Sequence, residues 1–222
     1  MFTWIGQFLS SSIGKKTTMA LTGLLLVGFL IAHLAGNLLL YKDPEAFEAY
    51  ARKLHDLGPF LYVLELGLLA LFVGHIAFAV RTIVENRKAR HSKYAVQADR
   101  GGKTLASATM PLTGTIVLLF LFWHLIDFRF DGGFKGLFAD GASGAGAADV
   151  VWNTLGGTAH MAVYLLGIAA LTLHLSHAIQ SAFQTLGLRH PKWTPLIERG
   201  GVALAVLLGL GFASIPFAAA IR

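Results

Sequence analysis

The stretch "FLIAHLAGNLLLYKD", Phe29 to Asp43, decides how the chain is read. Its first twelve residues have the composition of the middle of a membrane helix, apart from His33. An imidazole in hydrocarbon is costly, and residues of that kind mark functional positions by default. Working outward, the whole chain has the same character. Of 222 residues 55% are apolar and 14% are charged, and the mean hydropathy is +0.63. Ordinary soluble domains carry roughly 25% charged residues, so the composition describes an integral membrane protein. One bundle, residues 1–222, accounts for the full length.

Five apolar segments each reach the roughly 20 residues a bilayer needs. They run over about 17–40, 59–84, 105–128, 157–186 and 202–221. The fold class expected is therefore all-α, a bundle of five transmembrane helices. There are no cysteines, which excludes disulfides and thiolate-held metal centres, iron–sulfur clusters held by this chain among them. The net charge of +6 does not point to nucleic acid, because the basic residues sit between the apolar spans. Twelve of them fall on one side: Lys15, Lys16, Arg81, Arg87, Lys88, Arg90, Lys93, Arg100, Lys103, Arg189, Lys192 and Arg199. The other side holds six, diluted by seven carboxylates. The excess of Lys and Arg predicts a cytoplasmic N-terminus and an external C-terminus.

The start, "MFTWIGQFLSSSIGKK", lacks the pattern of a signal peptide, since its charge follows the apolar residues. Phe2, Ile5, Phe8 and Leu9 fall at helical spacing and suit a short interfacial helix. Asp43-Pro44 reads as an N-cap and first turn, and Phe47, Tyr50 and Leu54 give the following segment one apolar face. The Gly- and Ala-rich stretch 131–149 reads as an irregular loop.

Nine histidines occur, and four share a pattern. Counted from where each span enters the membrane, His33, His75, His124 and His174 lie 16, 16, 19 and 17 residues in. At about 1.5 Å per residue this is roughly 24–28 Å of helix. Successive spans reverse direction, so His33 and His124 reach one level near the outer side, and His75 and His174 another near the inner side. The levels are separated by about 15 Å. Two facing imidazoles at one depth, twice, are what two haems with paired axial histidines require in a helix bundle. The alternative, packing or proton-relay histidines, fits one such residue better than four at matched depths. His177, three residues after His174, shares nearly the same helix face and is the alternative ligand on span four. His160 begins that span near the outer surface. His55, His91 and His190 lie in loops and read as surface residues. Ala32 and Gly36 fit a close-packing stripe of small residues.

Four segments, "FLIAHLAGNLLLY", "LFVGHIAFAV", "LFLFWHLIDFRF" and "LHLSHAIQSAFQTLG", together resemble the cytochrome b membrane-anchor subunit of succinate:quinone oxidoreductases, the succinate dehydrogenases and fumarate reductases. The closest resemblance is to the single-chain, five-helix, two-haem kind. It implies that His33 and His124 hold the outer haem b and His75 and His174 the inner one. It also implies two partners on the cytoplasmic side of a bacterial inner membrane, a flavoprotein and an iron–sulfur subunit, facing the basic loops with His91 and His190. Electrons then pass between those partners and a membrane quinone, commonly menaquinone, near the outer haem. Quinone chemistry moves protons with electrons, which makes Glu65, Asp56 and His160 candidates at the outer end, with His55 as a possible hydrogen-bond partner. Lys16, Thr18, Arg81 and Ser181 are candidate partners for haem propionates. The competing readings are a two-haem anchor of a nitrate reductase or hydrogenase, and a haem-free transporter or proton channel that uses its membrane histidines.

Overall fold

A computed structural model describes residues 3–89, 104–130 and 146–222. Every regular element among them is helical. The elements are α1 (Thr3–Ser10), α2 (Ser12–Asn37), α3 (Pro44–His55), α4 (Pro59–Lys88), α5 (Leu105–Leu125), α6 (Ala147–Leu155), α7 (Thr158–Thr185) and α8 (Thr194–Ala220). A 3-10 turn, Leu38–Tyr41, extends α2, and a π-helical turn, Ile126–Phe130, extends α5. Five of these helices, α2, α4, α5, α7 and α8, are long and apolar enough to cross a membrane. The protein is a multi-pass membrane bundle, and its many exposed Leu, Val and Phe side chains face the place of lipid.

The helix ends follow local chemistry. Ser11 caps α2 by accepting the Gly14 N–H at 2.9 Å. Asp43 caps α3 by accepting the Ala46 N–H, with Pro44 in the first turn, as its sequence predicts. Thr104 and Ser107 form a reciprocal capping box on α5. Gly187, at φ 80°, ends α7, and the Leu188 N–H reaches back to the Phe183 carbonyl at 3.0 Å.

Neighbouring spans run antiparallel. Thr22, early in α2, meets His75, late in α4. Thr113, early in α5, meets His174, late in α7. Helices α2 and α8 run parallel, with Leu34 beside Gly211 and Tyr41 bonded to Ser214. Helix α8 packs mainly on α7, α5 on α7, and α4 on α2. No residue of α4 is buried within the chain.

Several details differ from the sequence reading. The fifth span begins at Thr194, a full two turns before Val202, and so carries Glu198 and Arg199. The expected irregular stretch 131–149 ends in helix, because Ala147 to Asp149 open α6; the rest of it up to 145 lies outside the described residues, as do Phe2 and His91. On α3 the buried face is Phe47 and Ala51, while Leu54 is exposed. Gly36 does not sit in a span–span seam: a Cβ there would lie 2.6 Å from the Tyr50 ring, and Ala32 is exposed.

Helices α3 and α6 cap one end of the bundle. Their buried side chains, Phe47, Ala51, Val151, Trp152 and Leu155, join Leu40, Tyr164, Ile168, Ile215 and Ala219 in one apolar cluster. The Glu48 carboxylate accepts the Ala148 N–H at 3.1 Å, so α3 supplies a partner to the free N-terminal turn of α6. We call this the capped end, and the end with Lys15, Glu85 and Thr194 the open end.

Candidate functional site

The four span histidines come together as two pairs. Near the capped end the rings of His33 and His124 are 5.9 Å apart, centroid to centroid, and nearly perpendicular. Toward the open end His174 has both His75 and His177 as electrostatic neighbours. The levels can be read on three helices. On α2, Thr22 touches His75 and lies eleven residues before His33. On α5, Thr113 touches His174 and lies eleven residues before His124. On α7, Tyr164 touches His124 and lies ten residues before His174. Each interval corresponds to about 15 Å along a helix.

Three of the four imidazoles are oriented through Nδ1. His75 Nδ1 lies 3.2 Å from the Met19 carbonyl oxygen and 3.3 Å from Thr22 Oγ1. A carbonyl can only accept, so this nitrogen carries the proton. His174 Nδ1 lies 3.3 Å from Thr113 Oγ1, whose own hydrogen goes to the carbonyls of Thr109 or Met110. The hydroxyl oxygen is therefore the acceptor again. His124 Nδ1 lies 3.4 Å from Tyr164 Oη, which donates its hydrogen to Asp127 Oδ2 at 2.8 Å. In each case Nε2 is left with a lone pair and no hydrogen bond among the described residues. A metal-ligating histidine is commonly held in this way, its other ring nitrogen donating to a carbonyl or hydroxyl oxygen. His33 is instead held by ring contacts, stacked on Phe29 at 5.3 Å and tilted against Phe212 at 5.8 Å.

The donor set suits iron in a porphyrin. Metal–imidazole bonds of about 2 Å on opposite sides of one ion put ring centroids about 6 Å apart, close to the spacing of His33 and His124. Among the described residues no group of three or more His, Cys, Asp or Glu side chains is placed to hold a bare metal ion. A porphyrin supplies four donors itself and asks two of the protein, which is the number each level offers. Glycines leave room beside His75 and His174: a Cβ at Gly23 would lie 3.1 Å from His75 Cε1, and one at Gly114 3.4 Å from His174 Cε1. His177, one turn past His174, is also close enough to interact with it, and its Nδ1 is buried with no hydrogen-bond partner among the described residues.

The π-helical turn at the end of α5 builds the surroundings of the His33–His124 level. It turns Asp127 to α7, where His160 Nε2 lies 3.4 Å from Asp127 Oδ1, and Arg129 to α4, where it pairs with Glu65 at 2.9 Å. π-helical turns recur at functional sites for this ability to re-aim side chains. Two of the three expected quinone candidates are thus engaged, Glu65 in an ion pair with Arg129 and His160 in contact with the Asp127 carboxylate. Asp56 is exposed at the end of α3, and its carboxylate makes no ion pair among the described residues. Asp127, Tyr164 and Arg129 were not singled out by sequence. The available signal was a lone Asp and Arg inside "HLIDFRF", directly after a span histidine. At the open end buried Lys15 pairs with Glu85, which also pairs with Arg81 at 3.4 Å. Of the propionate candidates Arg81 is engaged in this way, while Lys16 is exposed.

Fold and site together define a class: a five-span helical membrane protein with interior histidines at two levels. Over 174 residues, 76% of the chain, it is 28% identical to the succinate dehydrogenase cytochrome b558 subunit of Bacillus subtilis (strain 168), covering 77% of that protein. No family model matches the chain, and no solved structure matches it.

Proposed function

We propose that the chain is the two-haem cytochrome b membrane anchor of a succinate:quinone oxidoreductase. It carries electrons between an iron–sulfur subunit, docked with a flavoprotein at the open end, and a membrane quinone, menaquinone by the resemblance, near the capped end. The observation that carries this reading is the gathering of four span histidines into two pairs. The likeness to a succinate dehydrogenase cytochrome subunit supports the choice of complex over a nitrate reductase or hydrogenase anchor.

His33 and His124 are the residues that would hold the outer haem b, and His75 and His174 the inner one. A haem held there by two imidazoles would supply one-electron transfer rather than oxygen binding. The chain's own groups do the rest. Met19, Thr22, Thr113 and Tyr164 hold the Nδ1 protons and so present Nε2. The α3–α6 cap packs on Tyr164, which touches His124. The His160 imidazole lies 3.4 Å from the Asp127 carboxylate at the outer end, where quinone chemistry needs proton-carrying groups.

A reduced-minus-oxidised visible spectrum of the purified chain tests the proposal, with the haem-to-protein ratio measured alongside. Two b-type haems per chain are expected. His33→Ala should remove one, His75→Ala the other. A colourless protein would instead favour a transporter or channel, and removal of the same haem by both changes would refute the pairing.

A further inference from the structure

The two levels differ in where their hydrogen-bond chains end. At the inner level the Nδ1 protons of His75 and His174 go to a backbone carbonyl and to threonine hydroxyls that in turn donate to carbonyls. Every terminus there is neutral. At the outer level the chain runs from His124 Nδ1 to Tyr164 Oη and on to Asp127 Oδ2, and so ends on a carboxylate. The Asp127 side chain is only 11% exposed. The Tyr164 ring is 4% exposed and fixed by edge contacts with Phe120 at 5.1 Å and Phe128 at 6.2 Å.

We propose that Tyr164 and Asp127 form a positioning arm that makes His124 a more electron-rich ligand than the inner histidines and lowers the reduction potential of the outer haem. This rests on the function proposed above. A buried negative charge draws the tyrosine proton, and the polarised hydroxyl oxygen draws the Nδ1 proton of His124. Linked hydrogen bonds reinforce one another in a low-dielectric interior. The imidazole gains anionic character and donates more strongly through Nε2, which favours ferric over ferrous iron. Outer-shell hydrogen bonding is a recognised lever on haem potential. His160 holds the second carboxylate oxygen and keeps Asp127 aimed at Tyr164.

The test is a redox titration of the assembled complex in membranes, followed at the haem absorption bands. The couple missing from the His33→Ala protein identifies the outer haem. Asp127→Asn keeps the side-chain shape and removes the charge; Tyr164→Phe keeps the ring and removes the link. Each should raise the outer couple by about tenfold in equilibrium constant, about 59 mV for one electron, with the inner couple unmoved. Asp127→Glu should restore most of the original potential. Two bound haems with an unchanged outer couple in both variants would overturn the arm and leave the proposed function standing. Loss of the outer haem in both variants would reduce the pair to a structural prop and equally overturn it. A wild-type complex without b-type couples would overturn both proposals.

Discussion

At the scale of single residues, an imidazole in a membrane helix is expensive unless something uses it, and four at two levels are used together. Space around them matters as much as their donors. The Gly23→Val side chain would press on the His75 ring, whose Cε1 lies 3.1 Å from where a Cβ would stand. Overpacking of this kind costs about 1–3 kcal/mol. Gly28, five residues on in the same helix, has nothing within 4 Å of a Cβ and should accept alanine freely. The expected outcome is therefore loss or distortion of the inner haem spectrum in Gly23→Val, with the outer haem and the Gly28→Ala protein unaffected. A normal inner spectrum in Gly23→Val would show that the glycine is not needed for clearance. The histidines themselves were legible in the sequence because ionisable side chains stand out against Leu and Phe. Their partners were not. Thr22, Thr113 and Tyr164 are ordinary membrane-helix residues until the rotation of a neighbouring helix brings an Nδ1 to them, and rotation is set by packing, which one-dimensional periodicity does not encode.

At the scale of elements, length and apolarity were enough to find the five spans, and capping chemistry the Asp43–Pro44 start of α3. They were not enough for α6. Its nine residues, "AADVVWNTL", bury Ala147, Ala148, Val151, Trp152 and Leu155, a helical stripe that adjoins a Gly-rich run and is easily absorbed into it. The stripe is the keystone of the cap: Trp152 meets Tyr41 of the α2 extension at 6.1 Å and lies under Arg222 at 4.4 Å. Trp152→Ala should cost about 3–5 kcal/mol. Asp43→Ala, which only removes the α3 cap, should cost about 0.5–2 kcal/mol. Thermal unfolding of the purified chain would rank them. Because the cap's apolar cluster includes Tyr164, which touches His124, heating the Trp152→Ala protein should bleach the haem of the His33–His124 level first. Simultaneous bleaching would mean that the cap does not shield that level.

At the scale of the whole molecule, the remaining question is which way the bundle stands. Among the described residues the open end carries Lys15, Lys16, Arg81, Arg87, Lys88, Arg189, Lys192 and Arg199, with only Glu85 and Glu198 as nearby acids. At the capped end basic groups are offset: Arg129 pairs with Glu65, and Lys42, Arg52 and Lys53 share α3 and its flanks with Asp43, Glu45, Glu48 and Asp56. Lysine and arginine retained near span ends hold those ends in the cytoplasm, so the open end should face the cytoplasm and the His75–His174 level should be the one nearer the soluble partners. The chain contains no cysteine, which makes the test clean without background removal. Glu45→Cys on α3 and Lys192→Cys between α7 and α8 both fall at exposed positions. In intact cells stripped of any outer barrier, a membrane-impermeant maleimide should label Glu45→Cys and spare Lys192→Cys until the membrane is opened. The reverse pattern would invert the bundle. It would put the Asp127–His160 pair on the cytoplasmic side, and the order of the two histidine levels relative to the iron–sulfur partner would have to be exchanged.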